Sequence, residues 1–297
     1  MIRRDRTWEL TSRRILLLAL AAIGACLLLV VAVYQWPQAA DEHAYWLAGQ
    51  RLLAGLPLYD PTATSITPYA YWYPPIVAQV LAPIVAVVPS AVFGWLWIVL
   101  MLGCLFWLAG SNVLVALAMC AFPPIAVEFS SRNVHLIIAV LLVLGLRRWA
   151  GWFSVAAAIK LAPVLGIGYV ALRGRWRDAL VATGFGAILL ACSIALGPDL
   201  WRHFIDVLVA RGPADASAFV PVPYVARLIL GVVLMVVAAR LEPRYGEPLL
   251  VVAVTVALPT LWFTALSTLA AVVPLVRDPA PATGATTPGV PQTGLAA

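Results

Sequence analysis

The stretch RRILLLALAAIGACLLLVVAV, Arg13 to Val33, decides the class of this protein. No residue from Ile15 to Val33 is charged or strongly polar, and a helix needs about 20 such residues to cross a bilayer. Arg3, Arg4, Arg6, Arg13 and Arg14 precede the run, so the positive-inside rule keeps residues 1–14 cytoplasmic and sends the following segment outward. A secretory leader also begins with basic residues. This apolar run is too long for a usual leader core, and no A-x-A-like site precedes the Tyr34-Gln35-Trp36-Pro37 turn, so the run reads as a retained anchor.

Composition extends that reading to the whole chain. Hydrophobic residues make up 63% and charged residues 11%, against about 25% charged in soluble domains. An all-α, polytopic membrane protein is expected, with roughly eight to ten membrane segments between residues 15 and 276. Apolar runs mark them at Ala91–Ala109, Val113–Val127, Val134–Leu146, Trp152–Leu172, Leu180–Leu196, Val222–Ala239 and Leu249–Val276. Ile76–Val88, interrupted by Pro83, is short for a crossing and reads as a tilted span or a re-entrant piece. Leu249–Val276 is too long for one span and too short for two, and Pro259 near its middle predicts a broken helix. Trp152–Leu172 has Arg147 and Arg148 at one end and Arg173, Arg175 and Arg177 at the other, so both ends ask to be cytoplasmic. Either one basic cluster lies outside or the run folds back near Pro163. Residues 277–297, rich in Pro, Thr, Ala and Gly, are expected to form a disordered tail.

Charge and cysteine usage narrow the chemistry. The net charge of +6 sits mostly on arginines outside the spans, which fits orientation in the membrane and contact with anionic lipids, and not nucleic acid. Cys26, Cys104, Cys120 and Cys192 lie inside apolar runs without metal-type spacing and read as small buried hydrophobes. His43 has no second ligand at metal spacing, and neither a metal nor a cofactor is implied. No Gly-rich phosphate loop and no Asp-x-Asp pair marks a nucleotide-sugar site.

The first long polar segment, residues 34–75, carries the candidate chemistry. It contains the adjacent acids Asp41 and Glu42, a third acid Asp60, the cation Arg51 and a cluster of aromatics including Tyr45, Tyr59, Tyr69, Tyr71, Trp72 and Tyr73. Successive helical residues point about 100° apart, so only one of Asp41 and Glu42 is expected to face a site. Asp41 also suits a helix N-cap, Arg51 a solvated surface charge, and the aromatics an interfacial belt. Lys160 is the only lysine in the chain and lies in the apolar run AAAIKLAP. An intramembrane charge costs a few kcal/mol, so it is expected to face the interior and have a partner there, unless it snorkels to an interface or pairs with one acid such as Glu128.

These residues resemble a known family. Asp41, Tyr45, Ala48 and Gly49, then Leu52, Gly55, Tyr59 and Asp60, then Tyr71, Pro74 and Pro75 follow the first extracytoplasmic loop of the polyprenyl-phosphate-dependent glycosyltransferases of family 87. Ala157, Ala158, Lys160 and Pro163 resemble the family's Ala-Ala-x-Lys-x-x-Pro stretch. Where members carry Gly-Gln-x-Asn, this chain has Ser131-Arg132-Asn133, in which only Asn133 matches, and the C-terminal LPTLWFTAL has Trp262 but no His. The resemblance implies a GT-C-like membrane enzyme of the cell envelope. It would move a sugar, mannose ahead of arabinofuranose, from a polyprenyl-phosphate donor to a lipid-linked glycan acceptor on the extracytoplasmic face. Asp41 is implied as general base with Glu42 as the local alternative, and Tyr45, Arg51, Tyr59, Asp60, Tyr71, Tyr73, Arg132, Asn133 and Lys160 as substrate-binding residues. The rival reading is a non-catalytic or lipid-sugar-transporting relative; acids clustered toward one surface favour the enzyme, because a transporter places charges along a path near the midplane.

Overall fold

In a computed structural model, residues 6–34, 40–60, 62, 63, 67, 69–211 and 221–278 are described, and no strand occurs among them. The tail beyond residue 278 lies outside the described residues. The helices are α1 (Arg6–Tyr34), α2 (Ala40–Leu53), α3 (Pro75–Val85), α4 (Ser90–Leu108), α5 (Val113–Met119), α6 (Pro123–Ser131), α7 (His135–Arg147), α8 (Gly151–Ile159), α9 (Leu165–Leu172), α10 (Trp176–Leu196), α11 (Pro198–Arg211), α12 (Tyr224–Arg240), α13 (Pro243–Val256) and α14 (Val272–Arg277). Short 3-10 turns fill Ala162–Val164 and Phe263–Ala271.

Among the described residues three helices, α1, α4 and α10, are long and apolar enough to cross a membrane, and α5 with α6 makes a fourth if that pair, bent by 90°, is one span. The other apolar runs are shorter pieces. Their difference from the expected eight to ten segments has a local cause: runs of apolar residues do not reveal where the helix stops. Asn112 caps α5 by accepting from the Val115 N–H at 3.1 Å, Pro123 and Pro124 restart the chain as α6, and Arg132 ends α6 in the left-handed region at φ 51°.

The run from Trp152 to Leu172 folds back on itself. Gly166 packs so closely on Phe153 that a methyl group there would overlap the ring, whereas residues 13 apart in one continuous helix lie about 20 Å from each other. Lys160 forms the tip, leaving the helix at φ −143° and ψ 132°. The two basic ends converge on Glu247 of α13. Arg147 Nη2 lies 2.9 Å from Glu247 Oε2, and while burial raises that carboxyl's pKa, Arg147, Arg173 and Arg175 all pull it back. The two arginine clusters therefore occupy one end of the protein, which resolves the conflict that a single crossing creates.

The last apolar run is broken as Pro259 predicts. α13 stops at Val256 and a 3-10 turn begins at Phe263, so the final carbonyls of α13 lack helical partners. Arg227 of α12, buried at 3% exposure, donates there: its Nη1 reaches Val256 O, the last carbonyl of α13, at 3.3 Å and Leu258 O in the break at 2.6 Å, and its Nη2 reaches Pro259 O at 2.8 Å. Sequence reading passed over Arg227, although a cation inside an apolar run is a legible signal of such a demand.

Candidate active site

The site is assembled where α2, the loop before α3, the α6–α7 junction and the tip of the α8–α9 hairpin meet. α2 is neither long nor apolar enough to span, and it is held across the end of α3. Trp46 Nε1 donates to Val88 O at 3.0 Å and Gln50 Nε2 to Val85 O at 2.7 Å, while Gly49 lets the Val85 side chain approach the α2 backbone. The pair Ala48-Gly49 thus has a packing role, and it fixes the first turn of α2, which carries Asp41 and Glu42.

The two acids diverge, as the helical geometry requires. Asp41 lines a cavity of about 1680 Å³ together with Tyr73, Asn133 and Lys160. Glu42 is buried beside Gly94 and pairs with Arg132, whose Nη1 donates to Oε1 at 3.2 Å. The left-handed backbone of Arg132 ends α6 and sends the chain on to Asn133.

Asn133 connects Asp41 to a tyrosine cluster. Its Nδ2 donates to Asp41 Oδ2 at 2.8 Å, and its Oδ1 accepts from the Tyr73 hydroxyl at 2.9 Å and the Val134 N–H at 2.7 Å. Tyr45, fully buried, donates to the Tyr73 oxygen at 2.8 Å. These bonds orient the amide so that its N–H faces Asp41. Burial raises the Asp41 carboxyl from its ordinary 3.8 to about 6; Lys160 and the Asn133 bond oppose that rise, and Glu128 and Glu42 add to it. A carboxylate with this pKa is matched to accept a proton near neutral pH.

Behind the cavity wall a second chain of polar groups supports the cation. Glu128 and His135 are completely buried. Both Glu128 oxygens lie 3.1 Å from His135 Nδ1, and Lys160 Nζ lies 2.7 Å from His135 Nε2. The ammonium also sits 5.4 Å from the centre of the Tyr73 ring. Glu128 therefore reaches Lys160 through His135 and not by direct pairing.

The remaining candidates fall into two groups. Tyr59 and Tyr71 are buried supports, donating to Tyr73 O at 2.9 Å and Pro74 O at 3.0 Å. Arg51 and Asp60 are exposed and stand outside the cavity lining; Asp60 accepts from the Thr62 N–H and hydroxyl at 2.8 and 2.6 Å. His43 contacts Ser90 at 3.2 Å. Among the described residues no group of three or more His, Cys, Asp or Glu is placed to hold a metal ion.

The far side of the cavity is apolar and aromatic. Leu161 and Val164 from the hairpin tip, Leu189 and Leu190 from α10, Trp201, Phe204 and Leu208 from α11, and Trp262 line it. Leu161, Leu190 and Leu208 are at once cavity-lining and exposed, so this wall opens at the protein's surface. Trp201, Phe204 and Leu208 are not among the residues that the motifs single out. Their spacing along PDLWRHFIDVLVAR, with Asp199 before them and Arg202, His203 and Asp206 between them, is an amphipathic helix pattern.

No curated protein and no solved structure matches the chain. The sequence model of glycosyltransferase family 87 matches residues 71–285. That region includes Tyr71, Tyr73, Asn133 and Lys160 and leaves Asp41 outside it. With well over half of its length matched, and with a carboxylate, an amide and an ammonium brought to one cavity, the chain belongs to glycosyltransferase family 87.

Proposed function

We propose that this membrane glycosyltransferase, with a GT-C-like architecture, takes its sugar from a polyprenyl-phosphate donor and passes it to a lipid-linked glycan acceptor on the extracytoplasmic face. Mannose ranks ahead of arabinofuranose on the family resemblance. The observation that carries the reading is one cavity with two poles: Asp41, Asn133 and Lys160 at one, and an apolar wall with exposed Leu161, Leu190 and Leu208 at the other. A sugar phosphate fits the first and a lipid tail the second. Asp41 takes the proton from the acceptor hydroxyl as the new bond to the anomeric carbon forms. The bond from that carbon to the phosphate oxygen breaks, and the phosphate leaves with its electron pair toward Lys160. Tyr73 and Asn133 hold Asp41 for the transfer.

Depth fits the same arrangement. α8 has 9 residues, so Lys160 stands about 14 Å from the arginine-rich end, on the side where α2 places Asp41. With the arginines cytoplasmic, the hairpin brings its cation up from one side while α2 brings Asp41 from the other. The test uses purified protein in lipid nanodiscs with labelled polyprenyl-phosphate mannose or arabinose and a panel of lipid-glycan acceptors. Transfer from either donor, abolished in Asp41→Asn, supports the reading; transfer only from a nucleotide sugar overturns it.

A further inference from the structure

Lys160 is the sole lysine of the chain, and its ammonium is held by a chain of buried groups that takes no part in the proposed proton transfer. Glu128 accepts the His135 backbone N–H at 2.8 Å and also faces Nδ1 with both oxygens at 3.1 Å. A carboxylate so placed keeps the ring proton on Nδ1, because a bare Nδ1 would set lone pair against lone pair. Nε2 is then the acceptor, and the Lys160 ammonium 2.7 Å away donates into it. One ammonium N–H is thereby committed, and the nitrogen is fixed over the Tyr73 ring with its remaining donors available to the cavity that Lys160 lines.

We infer that Glu128 and His135 are positioning residues for the Lys160 ammonium, holding it as the receptor for the phosphate of a lipid-phosphate ligand. The inference rests on the donor reading above. A lysine side chain has four rotatable bonds, and on an extended residue at a hairpin tip nothing local restrains it. The groups that restrain it come from separate elements: Asp41 on α2, Tyr73 before α3, Glu128 on α6 and His135 on α7. Only His135 lies within hydrogen-bond distance of the nitrogen among the described residues. His135 in turn has its tautomer set by Glu128, as carboxylates set metal-binding histidines elsewhere.

A single lysine permits a test that does not require turnover. Purified protein in nanodiscs is treated with an amine-reactive reagent, and labelling of the Lys160 peptide is followed by mass spectrometry while undecaprenyl phosphate is titrated. In the wild type, the lipid phosphate should protect Lys160. In His135→Phe, which keeps a ring of similar shape without the acceptor, protection should need about tenfold more lipid, the scale of one lost charge-assisted hydrogen bond. His135→Gln, which restores an acceptor oxygen, should recover part of the loss; a purely structural role for the ring would not follow that order. Where His135→Phe fails to fold, Glu128→Gln is read in its place, since its carboxamide admits the other tautomer at unchanged volume and should weaken protection in the same way. If the wild type is protected and the variants are protected equally, the positioning role is wrong. If the wild type is not protected at all, the lipid-phosphate reading itself fails, and this inference with it.

Discussion

Replacing Asp41 by Asn should separate catalysis from stability in opposite directions. Asn keeps the volume, and its carbonyl oxygen can still accept from Asn133 Nδ2, so the 2.8 Å contact has a successor. What disappears is the carboxylate that accepts the proton, and losing a general base typically lowers the rate by about 10² to 10⁴. Stability should move the other way. Holding a carboxyl at about 6 instead of 3.8 disfavours its ionised form by about 3 kcal/mol, at about 1.4 kcal/mol for each pH unit. Below pH 4 the acid is protonated in both the folded and the unfolded chain and nothing is lost. As pH rises from about 4 to about 6 the unfolded chain ionises first, so the cost to the folded state grows, and it is complete above 6. Asp41→Asn escapes this cost, so it should unfold at a temperature close to that of wild type at pH 4 and clearly higher at pH 7, with an advantage approaching 3 kcal/mol at most. The wild-type rate should rise with pH through about 6. Thermal unfolding in detergent at the two pH values and transferase activity across them provide the check. A variant with full activity and an unchanged pH profile would place the base elsewhere, and a variant no more stable at pH 7 than at pH 4, relative to wild type, would refute the burial argument.

Lys160→Met should lower donor use and also lower the unfolding temperature, because it removes the cation that faces Asp41 and Glu128 and leaves His135 Nε2 without its donor; donor kinetics equal to wild type would exclude a phosphate role. Gly166→Ala should destabilise the hairpin by about 1 to 3 kcal/mol, since Phe153 is wedged between Gly166 and Gly145 and has nowhere to move; Phe153→Leu in the same chain should restore part of the unfolding temperature, and an unaffected single variant would argue against the fold-back. In a background lacking Cys26 and Cys192, which are exposed and not buried as their apolar surroundings predict, a cysteine at the exposed Ala54 should react with a membrane-impermeant maleimide on intact cells, and one at the exposed Arg177 should not. The reverse pattern would put Asp41 on the cytoplasmic side.

Much of the membrane architecture was legible before any coordinates, because the free energy that governs it is a sum over local residues. The apolar stretch of α1, the crossing length of α4 and α10 and the break near Pro259 all follow from short windows of sequence. Asp41, Asn133, Tyr73 and Lys160 were also marked as candidates by their chemistry and by the family pattern. The count of full-length spans was not legible, since a proline or a left-handed residue such as Arg132 ends a helix without ending the apolar run around it.

Residue types and their periodicity determined that this is an all-helical membrane protein with a carboxylate near its first span and a lone lysine within an apolar run, because burial preferences and helix lengths are properties of the residues themselves. Only the tertiary structure decided that Asp41 faces the cavity while Glu42 is neutralised by Arg132, and that the run carrying Lys160 doubles back. It alone decided that His135 stands between Lys160 and Glu128. The partners concerned lie 90 residues apart for Arg132 and Glu42, and 25 for Lys160 and His135. Which buried charge meets which partner depends on where the helices come to lie against one another, and no window of sequence contains both ends of that contact.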